Sequence, residues 1–320
     1  MRILQVAPNH ETVPPRRDGG TERIIYDLSQ ELSRRGHDVI LYAPPGSSIS
    51  GSVIQYPFVG DYQIGTYVSE NLPVGIDIIH DHTFDSVISR IGLNIPMVHT
   101  IHLPVQNSVN FPVYVSRSAW ETVGGGNGWY VPNGIVLDEY QFSHEKDDYL
   151  LFMGRLIREK GIIEAIDLAE TTGQRLIIAG PTHDEELFLQ EITPRLKQNP
   201  LLHYVGSVGG TIRQELLKHA RCLLFPIQWD EPFGLVLIEA MACGTPVLAL
   251  GKGAVPEILE RFPQMMCGSL PEMTHKILHN NDVAYSPNEL RKYVGARFSG
   301  SRMTDDYLWI YQKVIHQWGR

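Results

Sequence analysis

Lysine is missing from the first 145 residues, where every cation is Arg, and Lys146 opens a stretch with ordinary lysine usage. A shift of that kind marks a boundary, and 320 residues at about 150 per domain predict two domains. Cysteine is equally scarce. Cys222, Cys243 and Cys267 cannot all pair and fit no metal-ligand spacing, which predicts reduced thiols and a cytoplasmic protein. A basic surplus is absent too: 27 Lys plus Arg stand against 36 Asp plus Glu, a net charge of -9. That excludes a broad footprint for nucleic acid or anionic lipid, so an anionic partner requires a local cationic pocket. The longest uncharged stretch, Ile91 to Ser116, is interrupted by Pro96, Pro104 and Pro112 and reads as buried strands with their loops rather than a membrane span. Met1 to Val6 enters a strand directly, without the basic region or cleavage site of a signal peptide. The turn after that strand lacks Gly-x-Gly-x-x-Gly, which argues against a dehydrogenase.

What the chain does contain is an alternation of strand-length apolar runs with segments of helical period, the pattern of βα units on a parallel sheet. Ile3 to Ala7 reads as a strand, Thr21 as the cap of a helix over Glu22 to Arg35 ended by Gly36, and Val39 to Tyr42 as the next strand. Ile76 to Ile79, Met97 to Ile101 and Val113 to Val115 follow. The alternation restarts at Tyr149 to Met153 and continues through Leu176 to Ala179, Leu201 to Val205, Cys222 to Phe225 and Pro246 to Leu250. The polar segment Ser143 to Asp148 is the expected linker, giving domains 1–145 and 146–301 and a closing amphipathic helix over 302–320. Two open α/β domains bind ligands at the C-terminal ends of their strands.

The strongest motif runs from Asp230 to Pro246. Pro232 and Gly234 break the backbone after a strand, and Leu235 to Ala242 has the residues of a helix ended by Gly244. Such a helix offers free N–H groups around Phe233, Gly234, Leu235 and Val236 to a phosphate. Glu231 lies before that end and Glu239 inside it. Two carboxylates flanking a phosphate cradle are tolerable when each accepts hydrogen bonds from hydroxyls, the layout of a nucleotide sugar. A second motif, Met153 to Gly161, sets Arg155 and Lys160 at the mouth of the second sheet, where a planar fork and a mobile point charge can neutralise a diphosphate. A third, Gly19-Gly20-Thr21, permits close backbone approach to a ligand. His80, His82, His99 and His102 all follow or end strands. His80, His82 and His99 read as satisfied core or strand-end histidines, and the run His80 to Asp85 lacks the adjacent Asp-His of a metallohydrolase. Gly124 to Gly128 reads as a mobile loop.

Together these residues resemble the retaining glycosyltransferases of family 4. The most specific part is the Glu-x7-Glu pattern of Glu231 and Glu239, joined by Gly154-Arg155-Leu156 through Glu159-Lys160-Gly161 and by Gly253-Ala254-Val255-Pro256-Glu257. The resemblance implies a GT-B fold: two Rossmann-like α/β domains facing each other across a cleft, with a C-terminal helix crossing back to the first. It implies that Glu231 contacts the donor sugar, Glu239 the ribose, Arg155 and Lys160 the diphosphate, Gly20 a phosphate through its amide, and His102 the reacting sugar. Val205, Gly206, Ser207 and Val208 match the loop that receives the base. The implied activity is metal-independent transfer of a hexose from a nucleoside diphosphate sugar, UDP-sugar foremost, to a hydroxyl acceptor, with no cofactor beyond that co-substrate. The alternatives are an epimerase or hydrolase using the same donor pocket and a non-catalytic nucleotide-sugar-binding subunit. The segments Pro8 to Arg17 and Gln106 to Val109 are the expected acceptor side, but nothing in them specifies the acceptor.

Overall fold

A computed structural model describes residues 1–17, 19–103, 108–279 and 285–318. The chain divides into two compact units, Met1–Val136 with Phe298–Arg320, and Leu137–Arg297. The divisions therefore fall at 136/137 and 297/298 rather than at 145/146 and 301/302. Leu137 to Ser143 is fastened to the second unit by its backbone. Arg291 donates to the carbonyls of Leu137 at 3.0 Å and Tyr140 at 2.9 Å, and Ser143 N donates to Cys243 O at 3.3 Å. In the first unit Ile135 N donates to Phe298 O at 2.9 Å and Gly300 N to Ile135 O at 2.8 Å, which ties the closing segment to the strand side of the chain.

The strands are β1 Arg2–Val6, β2 Asp38–Ala43, β3 Ser52–Gln55, β4 Ile78–Asp81, β5 Met97–Ile101, β6 Pro112–Tyr114 and β7 Trp129–Tyr130 in the first unit. In the second they are β8 Leu150–Met153, β9 Leu176–Ala179, β10 Leu202–Tyr204, β11 Cys222–Phe225, β12 Val247–Leu250 and β13 Met266–Cys267. All described pairings are parallel, in the orders β3-β2-β1-β4-β5-β6-β7 and β10-β9-β8-β11-β12-β13. The continuous apolar runs Leu150–Met153, Leu176–Ala179, Cys222–Phe225 and Val247–Leu250 are buried along their whole length, because helices cover both faces of a parallel sheet. In the first unit Leu4, Val6, Ile40, Tyr42, Ile79 and Met97 form one core cluster with Tyr56, Ile64, Val68 and Ile88.

Thr21 does not cap the first helix. That helix spans Gly20–Arg34 with Gly19 as its N-cap and no side-chain cap, since Gly19 is pressed so close to Pro15 that a Cβ would meet the Pro15 Cβ at 2.6 Å. The Gly124 to Gly128 run is a hydrogen-bonded turn rather than a loose loop: Gly126 N donates to Trp120 O and Asn127 N to Gly124 O, each at 3.0 Å. The closing helix spans Gly300–Gln317 and buries Met303, Tyr307, Ile310, Tyr311 and Val314. All three cysteines are free and buried. Among the described residues no helix is long and apolar enough to cross a membrane.

Candidate active site

In the second unit the chain winds outward from β8 through β9 to β10, then crosses to β11 and winds the other way. The loops leaving β8 and β11 thus emerge side by side at the topological switch point, where open parallel sheets bind ligands. They touch at backbone level. Gly161 has φ +78, and a Cβ there would stand 2.0 Å from Pro226 O, so only glycine allows this approach.

That contact delivers Lys160 to Glu231. Lys160 Nζ lies 2.5 Å from Glu231 Oε2, and Trp229 Nε1 donates to the same oxygen at 2.8 Å. The ammonium also sits 5.1 Å from the centroid of the Trp229 ring, a cation–π contact. Glu231 is buried, 8% exposed, and a carboxylate so buried is stable because it is paired. Arg155 is half-buried on the loop after β8, and its guanidinium has no hydrogen-bond or ion-pair partner among the described residues, so its charge is free for a ligand.

The helix Leu235–Ala242 begins at Gly234, whose φ of 91 and ψ of 59 lie in the left-handed region, and no side chain caps it. Its first amides, at Leu235 and Val236, are the unsatisfied donors that a helix N-terminus offers to an anion. Phe233, the residue before that turn, is buried at 3% exposure. Glu239, further along the same helix, is held at both oxygens: the Tyr140 hydroxyl donates to Oε1 at 3.0 Å and Arg213 pairs with Oε2. Val205 to Val208 leave β10, with Gly206 at φ +78 and its carbonyl accepting from Gly180 N at 2.9 Å; Val205 is exposed and Val208 buried. The helix Gly210–His219 that follows carries Arg213.

The first unit has its own reversal, between β1 and β4. Gly20 is exposed as the first residue of the helix after β1. His102 follows β5, and its Nε2 lies 3.1 Å from Nδ1 of His82, which follows β4. Burial lowers the His102 pKa to about 3 and pushes His80 and His82 well below the ordinary histidine value, so all three rings are neutral near pH 7. His80 is satisfied at both nitrogens, by the Tyr311 hydroxyl at 2.6 Å and Thr100 Oγ1 at 2.7 Å, which leaves it no lone pair for a metal. His82 and His99 are satisfied at one nitrogen only, their Nε2 atoms being buried without partners, so the expectation of fully satisfied core histidines holds for His80 alone. Of the expected acceptor segment, Gln106 lies outside the described residues and Val109 packs near Ile101, Tyr114 and Ala119.

The second unit therefore gathers Lys160 with Glu231 and places Glu239 within the helix Leu235–Ala242 that begins just after Glu231. Trp229, Tyr140 and Arg213 escaped the sequence reading. Trp229 stands two residues before Glu231, a signal that was present, whereas Tyr140 and Arg213 reach Glu239 from distant segments that no local pattern connects.

Two family models match the chain: Glycosyl transferases group 1 over residues 138–267, and Glycosyltransferase Family 4 over residues 18–124. The chain is a glycosyltransferase. This glycosyltransferase is 25% identical, over 98% of its own length and 97% of the relative's, to the phosphatidyl-myo-inositol mannosyltransferase of Mycobacterium tuberculosis. Among solved structures it is similar to AviGT4, a glycosyltransferase involved in avilamycin A biosynthesis, with 25% identity, a TM-score of 0.83, and 99% and 98% of the two chains covered. It is also similar in fold to Alr3699/HepE of Anabaena in complex with UDP and glucose, at 16% identity and a TM-score of 0.78, over 98% of this chain and 100% of that one. The glycosyltransferase has two parallel-sheet Rossmann-like units and the GT-B fold.

Proposed function

We propose that this glycosyltransferase moves a hexose-type sugar from a nucleoside diphosphate sugar, a UDP-sugar foremost, to a hydroxyl acceptor, with retention at the anomeric carbon and without a divalent metal. One observation carries the reading: at the switch point of the second sheet, the Lys160–Glu231 pair and the uncommitted Arg155 stand on loops adjoining an uncapped helix N-terminus at Gly234. Cation, anion and free amides on adjoining loops suit a diphosphate flanked by sugar hydroxyls. The neighbour bound to UDP and glucose supports the same donor class.

In the reaction the bond from the anomeric carbon to the diphosphate oxygen breaks as the acceptor oxygen bonds to the same face. The acceptor proton passes to the leaving phosphate, and the products are a glycoside and a nucleoside diphosphate. Negative charge grows on the departing diphosphate, where Arg155, Lys160 and the amides of Leu235 and Val236 stabilise it more than they stabilise the bound donor. Glu231 accepts hydrogen bonds from sugar hydroxyls and Glu239 from the ribose. Val205, Gly206, Ser207 and Val208 receive the base, the amide of Gly20 donates to phosphate, and His102 orients the sugar.

A thermal-shift series over UDP-, GDP- and ADP-sugars tests the donor. At about a hundredfold over Kd a true donor stabilises the protein by about 2.7 kcal/mol, and no shift with any sugar nucleotide overturns the reading. The anomeric configuration of the product glycoside, read by NMR coupling constants, tests retention. Undiminished turnover in excess EDTA tests metal independence.

A further inference from the structure

We propose that His82 is a positioning residue that holds His102 in its Nδ1–H tautomer, so that His102 presents a hydrogen-bond donor, and no base, to its ligand. The inference rests on the proposed function only for the identity of that ligand, the reacting sugar.

His82 Nδ1 and His102 Nε2 stand 3.1 Å apart, a hydrogen bond that needs one proton between them. His82 is fully buried and His102 half-buried against it, and desolvation lowers both pKa values below the ordinary histidine range, so both rings are neutral near pH 7. A neutral imidazole has one N–H and one lone pair, so the direction of this bond fixes the tautomer of both rings. If His102 donated through Nε2, His82 would accept at Nδ1 and carry its own proton on Nε2. That Nε2 is buried and has no partner, so a donor would be stranded. If His82 donates from Nδ1, the stranded atom is only a lone pair. Buried N–H groups without acceptors are rarer in folded proteins than unpaired acceptors, which decides the direction. His102 then accepts at Nε2 and carries its proton on Nδ1, the ring nitrogen with no partner among the described residues.

The His82 ring cannot turn away from this duty. It lies against the His80 ring with centroids 3.8 Å apart and planes tilted by 32°, and His80 is pinned by Tyr311 and by Thr100, whose Oγ1 also meets the Tyr307 hydroxyl at 2.9 Å. Tyr307 and Tyr311 belong to the closing helix Gly300–Gln317. That helix therefore braces the ring that orients His102.

Long-range 1H–15N correlation spectra of the histidine-labelled full chain, assigned through loss of the His102 signals in His102→Ala, read the tautomer directly. The wild-type protein is expected to show His102 protonated at Nδ1. In His82→Leu the signals should move toward an Nε2–H mixture and kcat should fall about tenfold with the donor KM unchanged, the loss expected for one orienting hydrogen bond. His82→Asn places an amide donor where Nδ1 stood and should restore both. Nε2 protonation of His102 in the wild type overturns the proposal whatever the activity, and that spectrum needs no variant to fold. A tautomer as stated, with unimpaired transfer by His102→Ala, overturns instead the placement of His102 at the sugar.

Discussion

Gly253 lies against the backbone of Glu231 so closely that a Cβ at 253 would meet both the nitrogen and the carbonyl oxygen of Glu231 at 2.3 Å. Ala254 N donates to Glu231 O at 2.9 Å and Gly253 N to Asp230 Oδ1 at 3.2 Å, so the Gly253-Ala254 turn clamps the main chain that carries the acidic residue. With φ at +57, position 253 also strains any other residue by about 1–2 kcal/mol. Gly253→Ala is expected to push Glu231 out of register with Lys160 and to cut turnover at least tenfold, while unfolding by urea shows a stability loss of a few kcal/mol at most. Wild-type turnover would mean the turn does not position Glu231.

Lys160→Ala and Glu231→Ala are each expected to lower turnover about a hundredfold, as when a preorganised charge-stabilising contact is lost. Because the two side chains are partners at 2.5 Å, the double variant should lose less than the product of the single losses. Steady-state kinetics on all four proteins of the cycle measure this coupling.

Arg213 supplies the charge that balances buried Glu239, whose other oxygen is occupied by Tyr140. Arg213→Ala leaves that carboxylate with a hydroxyl alone. Stability should fall by about 2–4 kcal/mol, somewhat below the cost of breaking a fully buried pair because the Arg213 side chain is 22% exposed. Urea midpoints and donor KM check this together, the KM being expected to rise.

Acidification should weaken the first unit before carboxylates titrate. His80, His82 and His102 are neutral in the folded chain with their pKa values lowered by burial, the last to about 3, while in the unfolded chain each takes a proton near pH 6.5. Below that pH the unfolded state binds more protons, so stability falls as pH falls, by up to about 1.4 kcal/mol per pH unit for each ring. Urea unfolding between pH 6.5 and 5 should show this slope, to which half-buried His37, its pKa also lowered by burial, adds in the same direction, and His82→Asn should flatten it. Glu31 acts only in a lower window, since its Arg34 hydrogen bond holds its pKa to about 2.

Much of the fold was legible. Leu176–Ala179, Cys222–Phe225 and the helix Leu235–Ala242 coincide with their expected bounds, because buried parallel strands and glycine-bounded helices announce themselves locally. β3, β7 and β13 were missed. The last two are only Trp129–Tyr130 and Met266–Cys267, too short to show any period, and Ser52–Gln55 is an edge strand with polar ends.

Sequence alone determined where glycine interrupts the chain and where charge gathers: Gly161 and Gly234 lie in the motifs that carry Arg155, Lys160, Glu231 and Glu239, and the structure gives both glycines a positive φ that other residues resist. Tertiary structure decided who holds whom. Whether Lys160 meets Glu231, Arg213 meets Glu239 or His82 faces His102 depends on strand order and on which loops leave a sheet together. Such pairings join residues 20 to 71 positions apart, beyond the reach of any helical or strand period.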